Sequence, residues 1–188
     1  MKQLTDKQKA IFDSTLMLIR EHGFHGTTMS QVAKKAGVAA GTIYHYFESK
    51  DKLISELYNY NRNLTIEVID NSLSEKHSFK ENFYNLWEAL YQFYIDNTQI
   101  LIFFEQYVNS PYKADKNNAY SHSRLQSFFE EGIKNGYLKK VSPRLALVLT
   151  VSNIAIAAKL HQFGNPEAGS TNMEQMRDIF WDGIAVRA

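Results

Sequence analysis

The sequence predicts an all-α protein. Three stretches have the capping-box spacing that begins a helix, a threonine followed three residues later by glutamine or glutamate, at Thr5, Thr28 and Thr171. Apolar residues recur every three or four positions after each start, as in amphipathic helices. No stretch alternates apolar and polar residues in the way of a half-buried strand. We therefore expect about nine helices and no sheet.

The first three helices are short and closely spaced. Helix 1 runs from the box at Thr5 to Gly23, a natural C-cap. Helix 2 runs from the box at Thr28 to a turn at Gly37, where glycine tolerates a left-handed backbone. Helix 3 follows over residues 39–47. This arrangement predicts an N-terminal helix-turn-helix with its motif at residues 28–47.

The later helices are longer. Ser49, Ser78 and Ser142 serve as N-caps, and Pro143 takes the first helical position after the last of them. Pro111 ends helix 6. With their caps, helices 4 to 9 are predicted over residues 49–73, 78–96, 98–110, 115–135, 142–163 and 171–186.

Composition favours a globular protein in the cytoplasm. The chain of 188 residues is 44% hydrophobic and 22% charged, which suffices for a core. It has no cysteine, which excludes a disulfide framework, a thiolate metal site and a cysteine nucleophile. Its first residues lack the apolar core of a signal peptide. The longest mostly apolar run, residues 145–158, is too short to span a bilayer, so we expect no membrane partner.

Charge divides the chain into two predicted domains, a helix-turn-helix domain over residues 1–52 and a helical domain over residues 53–188. The first holds eight Lys/Arg and five Asp/Glu, whereas the second holds thirteen and fifteen. The formal net charge of +1 therefore hides a basic surplus at the end that carries the motif. Such a surplus supports contact with nucleic acid.

Helix 3 has the residues of a DNA-reading helix. Thr42 offers a hydroxyl and a methyl group for a phosphate or a base edge. The run Tyr44-His45-Tyr46 can donate hydrogen bonds to phosphates, and these contacts position a helix without reading sequence. Ile43 and Phe47, four residues apart, are expected to pack inward.

In register, these residues closely resemble the DNA-binding domain of TetR-family transcriptional regulators. The likeness covers about the first 55 residues, and it is carried by Thr27-Thr28, Val32-Ala33, Ala36-Gly37-Val38, Gly41 to Phe47, Ser49-Lys50-Asp51 and Leu53. It implies a homodimeric, all-helical repressor that a small molecule releases from a double-stranded DNA operator. By the same resemblance, the DNA contacts are Thr28, Ala40, Gly41, Thr42, Tyr44, His45, Tyr46 and Lys50.

The resemblance is incomplete at the start of helix 3. Ala39 and Ala40 stand where many relatives carry a serine and a larger polar or basic residue. Two possible contacts to phosphates or bases are therefore missing. The operator sequence stays open.

The second domain is rich in aromatic residues, which favours a pocket for an apolar or aromatic ligand. Simple core packing is the better explanation for most of these side chains. The predicted ligand contacts are Trp87, Tyr91, Phe104, Tyr107 and Phe128. Glu105 lies on an otherwise apolar helix, where it either meets solvent or a basic residue, or faces a cationic ligand.

Helices 8 and 9 predict a dimer. Helix 8 is apolar nearly all round and must be covered on every side, by its own domain or by a partner. Helix 9 adds surplus apolar residues. A four-helix contact between two copies satisfies both helices and places two reading helices on one DNA.

Two alternative functions remain open, a ligand-binding or scaffold protein without operator binding and a helical enzyme. The enzyme is disfavoured because the six histidines have no H-E-x-x-H spacing and the nine glycines form no phosphate-binding loop. We expect no catalytic residue, no metal and no cofactor.

Overall fold

The computed structural model describes residues 4–112, 124–163 and 170–186. Within these ranges the chain forms nine helices and no strand, apart from one isolated antiparallel bridge between Leu138 and Ala185. The all-α prediction is confirmed. The helices are α1 (Asp6–Gly26), α2 (Met29–Lys35), α3 (Ala40–Tyr46), α4 (Lys50–Ser72), α5 (Phe79–Asp96), α6 (Thr98–Tyr107), α7 (Arg124–Lys134), α8 (Pro143–Phe163) and α9 (Ser170–Ile184).

Side-chain caps explain why most of these helices begin where they do. Thr5 and Thr28 both make complete capping boxes with the glutamine three residues on. The hydroxyls of Ser49, Ser78 and Ser142 each accept a hydrogen bond from the backbone N–H three residues later, at 3.2, 3.3 and 3.2 Å. These five predicted starts are confirmed.

Three helix ends differ from the prediction. Gly23 breaks the helical geometry of α1 (φ 68°, ψ 177°), but one more turn continues to Gly26. Helix α6 ends at Tyr107, four residues before Pro111, because tight turns follow in which Ser110 N–H donates to the Tyr107 carbonyl at 3.0 Å. The predicted beginning of helix 7 at Asp115 lies outside the described residues, as do residues 164–169 of the loop predicted at 164–170; Ser170 belongs to α9 and not to a loop.

The third difference concerns α9. It begins at Ser170, so Thr171 lies inside the helix and is not its N-cap. It ends at Ile184 because the chain after α7 pairs with it there: Lys139 N–H donates to the Ile184 carbonyl at 2.9 Å, and Val186 N–H donates to the Tyr137 carbonyl at 3.0 Å.

The chain divides into two compact units. The first comprises α1, α2, α3, α4 as far as Leu64, and α6. Its centre is formed by α1, which packs on α2 and α6. Phe12 lies 5.5 Å from Phe47 and 5.4 Å from Tyr60 between ring centroids, which fastens α1 to the residues after α3 and to α4. The predicted domain boundary at residues 52 and 53 stays a prediction.

The second unit comprises the rest of α4 and helices α5, α7, α8 and α9. Helix α8 is its centre, in contact with α5, α7 and α9. The core between them includes the fully buried Phe83, Trp87, Phe129 and Ile154. Arg124, at the start of α7, donates to the carbonyl of Asp70 in the last turn of α4 at 2.7 Å and to that of Leu73, the next residue after the helix, at 3.0 Å. A cation at a helix C-terminus is favourable because the free carbonyls carry partial negative charge.

The absence of a membrane partner stays a prediction. The run at residues 145–158 lies within a longer apolar segment, Pro143–Gln162, which is long and apolar enough to cross a membrane by length and composition alone. The central helix of a globular core passes the same test, so this is weak evidence for a span. The helix itself has nearly its predicted bounds; its apolar stretch extends beyond residues 145–158 at both ends.

Candidate DNA-binding surface

The helix-turn-helix is built on a turn that requires glycine. Gly37 has φ 67°, in the left-handed region that other residues rarely adopt. Its N–H donates to the Lys34 carbonyl at 3.3 Å, and Val38 N–H donates to the Ala33 carbonyl at 3.0 Å. This turn closes the end of α2 and sets the direction in which α3 leaves it.

Helix α3 has an apolar face and an accessible face. Ile43 and Phe47 are fully buried, as predicted from their spacing. On the other face Tyr44 is 55% exposed, and His45 beside it is exposed as well. The helix therefore packs on its domain through two apolar side chains, while Tyr44 and His45 face solvent.

The first turn of α3 carries only small side chains. Ala40 and Gly41 are exposed, and the N-cap residue, Ala39, makes no side-chain hydrogen bond. A Cβ placed on Gly41 would meet no atom within 4 Å. The backbone of this first turn is thus open to close approach by another molecule.

The remaining polar side chains of the motif are partly engaged. Thr42 and Tyr46 are half-buried, and the His45 and Tyr46 rings meet edge to face at 5.6 Å. Thr28 is exposed, but its hydroxyl accepts from the Gln31 N–H at 3.2 Å and lies 2.9 Å from the Gln31 side-chain oxygen. A phosphate that bonds to the Thr28 hydroxyl would therefore compete with the hydrogen bonds of the helix cap.

Lys50 is placed differently from the other candidates. It is half-buried, and its ammonium group donates to the carbonyl oxygen of Phe24, at the end of α1. The same nitrogen lies 5.6 Å from the centre of the Tyr112 ring. Lys52, by contrast, is exposed and pairs with Glu56 at 3.5 Å. The sequence did not reveal the contact at Lys50, because its partners are 26 and 62 positions away.

The predicted ligand contacts of the second unit lie in two clusters. Trp87 stacks on Tyr91 with ring centroids 5.4 Å apart, and both are buried. Burial raises the pKa of the Tyr91 hydroxyl above its ordinary value. Phe128 is half-buried and stacks at 4.4 Å on Phe79.

Two polar partners of these aromatic residues were missed by the sequence analysis. The Trp87 indole N–H donates to the Asn153 side-chain oxygen at 3.0 Å. The Tyr91 hydroxyl lies 2.9 Å from the His161 Nδ1. Both partners come from α8, and no local pattern marks them, since each pair is separated by more than sixty positions.

Phe104 and Tyr107 belong to the first unit. Tyr107 stacks on Tyr58 at 4.3 Å, and Phe104 meets the same ring edge to face at 5.8 Å. Burial raises the pKa of Tyr58, and the nearby charge of Arg62 partly offsets the effect. Their role as ligand contacts stays a prediction, as does that of the three residues in the second unit.

Glu105 lies in an open cleft of about 450 Å³ in the first unit. It is half-buried, so it is not a carboxylate sealed in an apolar core. The cleft is lined by His22, Gly23, Phe24, His25, Glu105, Gln106, Asn109, Ser110 and Pro111. Among the described residues, no group of three or more His, Asp or Glu side chains could hold a metal ion.

Comparison with known proteins gives two family matches, one near the N-terminus and one over the rest of the chain. Residues 11–57 match the family of bacterial regulatory proteins named after tetR, and residues 78–185 match the tetracyclin repressor-like C-terminal domain. An HTH-type transcriptional regulator from Haemophilus influenzae is 30% identical over 162 residues, which are 85% of this chain and 87% of that one. The chain belongs to the TetR family.

The fold agrees with this assignment. A TetR-family transcription regulator from Shewanella sp. PV-4 superposes with a TM-score of 0.84 at 26% identity, over 96% of this chain and 99% of that one. The structure of FadR from Bacillus subtilis in complex with stearoyl-CoA superposes with a TM-score of 0.70 at 22% identity, over 94% and 98% of the two chains. The chain is a DNA-binding transcriptional regulator with a helix-turn-helix.

Proposed function

We propose that this TetR-family regulator is a cytoplasmic repressor that binds its operator as a homodimer and leaves it when a small ligand binds. In each copy α3 enters the major groove, and α2 braces against the DNA backbone. The proposed contacts are Thr28, Ala40, Gly41, Thr42, Tyr44, His45 and Tyr46. Lys50, the eighth predicted contact, is engaged by the Phe24 carbonyl and is considered separately below.

The observation that carries operator binding is the two-faced character of α3. Buried Ile43 and Phe47 hold the helix, while Tyr44 projects into solvent and the first turn is bare. A short helix that packs through one apolar face and leaves its first turn and its polar side chains accessible has the form of a helix that enters a major groove. A scaffold protein without operator binding gives no reason for this arrangement.

Operator binding is tested with the Tyr44→Ala protein and a DNA fragment from upstream of its own coding region. We expect affinity to fall about threefold to tenfold, because one hydrogen bond and its packing are lost. Fluorescence anisotropy measures it, and Met17→Ala, at an exposed site on α1, is the matched control. Wild-type affinity should fall steeply with added salt as counterions are released. Wild-type affinity equal to that for shuffled DNA would contradict the proposal.

The proposed dimer rests on an uncovered apolar stripe. Five apolar residues of α8 are 44% to 53% exposed, and they recur along one face at helical spacing. They are Leu145, Val148, Leu149, Ile156 and Leu160. On α9, Ile179 is 73% exposed. A second copy with the same stripe covers both faces by two-fold symmetry.

We propose that the ligand binds in the second unit beside Trp87 and Tyr91. Their polar partners Asn153 and His161 can exchange a protein hydrogen bond for one to a ligand, while the rings supply apolar contact. The ligand is therefore apolar or aromatic and has a polar end. The related fold of FadR, which binds stearoyl-CoA, makes a fatty acyl compound the first probe to use.

Ligand binding is tested by the fluorescence of Trp87 in a Trp181→Phe protein, where it is the one tryptophan left. Stearoyl-CoA is expected to change the emission saturably and to lower operator affinity, because a ligand shifts the equilibrium by its differential affinity for the two states. A Trp87→Phe protein, in which Trp181 is the one tryptophan left, is the control: its emission should not change with the ligand. No change in emission with stearoyl-CoA or with aromatic carboxylic acids would count against this site.

A further inference from the structure

Lys50 makes two contacts with the end of α1 and the segment after α6, all within the first unit. Its ammonium group donates to the Phe24 carbonyl and lies 5.6 Å from the centre of the Tyr112 ring. The carbonyls at a helix C-terminus carry partial negative charge, and an aromatic face attracts a cation. Both contacts therefore stabilise the charged lysine where it lies.

The acceptor is held firmly in place. Phe24 is 5% exposed and packs against Phe103 and Tyr112, with ring centroids 5.7 and 5.4 Å apart. Its carbonyl also accepts from the Thr27 N–H at 3.4 Å. A hydrogen bond to this carbonyl consequently fixes Lys50 to a rigid part of the unit.

Lys50 is also next to the reading helix. It is the first residue of α4, and Ser49 before it caps that helix. Phe47, the buried C-cap residue of α3, is three positions earlier. The connection from α3 to α4 is thus fastened at one end by Phe47 and at the other by Lys50.

We propose that Lys50 is a positioning residue for operator reading and not a phosphate contact. Through the Phe24 carbonyl and the Tyr112 ring it fixes the start of α4 against the end of α1, and this sets the orientation of α3. The segment after α6 therefore takes part in operator recognition although it lies outside the helix-turn-helix. The inference rests on the operator binding proposed above.

The first test leaves the charge in place and removes the ring. We compare Tyr112→Leu with Tyr112→Phe, which keeps the aromatic face, and measure affinity for the upstream fragment and for shuffled DNA. We expect Tyr112→Leu to weaken specific binding about threefold to thirtyfold, leave non-specific binding unchanged, and be rescued in Tyr112→Phe. A lysine freed to reach a phosphate predicts unchanged or tighter specific binding, which would overturn the proposal.

The second test uses the salt dependence of binding by Lys50→Met and does not depend on the folding of the Tyr112 variants. Each lost phosphate contact lowers the slope of log affinity against log salt by about 0.9. We expect specific affinity to fall with the slope unchanged, and thermal unfolding of the DNA-free protein to shift down by a few degrees. A slope lower by about 0.9 or more per protomer overturns the proposal. Failure of the wild-type protein to prefer its operator is a different result, because it removes the proposed function itself.

Discussion

At the scale of single residues, Gly41 shows where function and stability oppose each other. Its backbone is helical and not left-handed, and a Cβ there would meet no atom within 4 Å. Glycine in a helix costs roughly 0.5–1 kcal/mol relative to alanine. Nothing in the fold requires glycine at this position. In the operator binding proposed above, this open space admits the DNA backbone.

We predict opposite effects of Gly41→Ala on folding and on DNA binding. The midpoint of thermal unfolding should rise by about 2 °C, because alanine restricts the unfolded chain and favours the helix. Operator affinity should fall by about tenfold as the added methyl group meets the DNA backbone. Calorimetry and anisotropy measure the two quantities. A variant that is more stable and binds as tightly as wild type would show that the space is not needed.

Gly37→Ala is the contrasting variant. Gly37 also has open space around it, but its φ of 67° is strained for alanine. This substitution should lower stability by about 1–2 kcal/mol. Gly37 is thus required for its backbone conformation, whereas Gly41 is proposed to be required for the space it leaves.

The sequence predicted the packing and capping of the helix-turn-helix because their signals are local. Ile43 and Phe47 are four positions apart, and Thr28 and Gln31 three apart, so helical geometry alone predicts their contacts. The contact of Lys50 with Phe24 depends on how α1 packs, and no local pattern encodes it. The same holds for Trp87 with Asn153, where two helices far apart in the chain meet.

At the scale of helices, most starts were predictable and some ends were not. A start is marked by a side chain that satisfies free N–H groups, as Ser49 and Ser142 do. An end is often decided by tertiary contacts, and α9 ends at Ile184 because its carbonyl pairs with Lys139. Pro111 limited α6 to the residues before it, but the turns after Tyr107 ended the helix earlier.

Gly132 controls how closely α7 approaches the start of α5. A Cβ on this residue would lie 2.3 Å from Cζ of Phe79, far inside contact distance. The Phe79 ring cannot easily move, because it stacks on Phe128 at 4.4 Å and on Tyr137 at 5.0 Å. Glycine is therefore required here by packing and not by backbone conformation.

We predict that Gly132→Ala destabilises the protein by about 1–3 kcal/mol, the usual cost of overpacking. Chemical denaturation measures the change. Gly183→Ala on α9 is the control, since a Cβ there meets nothing within 4 Å. Adding Phe79→Leu should recover part of the loss by making room. Unchanged stability in Gly132→Ala would mean that the ring moves aside at little cost.

At the scale of the whole molecule, the basic surplus and the exposed apolar stripe of α8 lie in different parts of the chain. The basic surplus lies in residues 1–52, where it favours encounter with DNA. The exposed apolar residues of α8 lie in the part of the chain after residue 52, where acidic residues outnumber basic ones by fifteen to thirteen. A monomer would leave this apolar stripe in water, which is unfavourable.

The stripe leads to a prediction about assembly. Leu149→Glu, at a residue 44% exposed near the middle of α8, should convert a dimer into a monomer of 21.7 kDa. Two buried glutamates would face each other across the two-fold axis without a partner, which costs more than the contact gains. Light scattering measures the mass, and Met17→Glu, exposed on α1, is the matched control.

The same variant links assembly to function and separates two uses of α8. If the stripe joins two copies, Leu149→Glu should also lose most operator affinity, because one reading helix cannot span two successive major grooves. The monomer should keep its helical content. If α8 instead contacts a membrane, which its length and composition allow, wild-type protein would be monomeric in buffer and float with lipid vesicles. A wild-type protein that is monomeric, does not float with vesicles and does not pair on DNA would contradict both the dimer contact and the membrane contact.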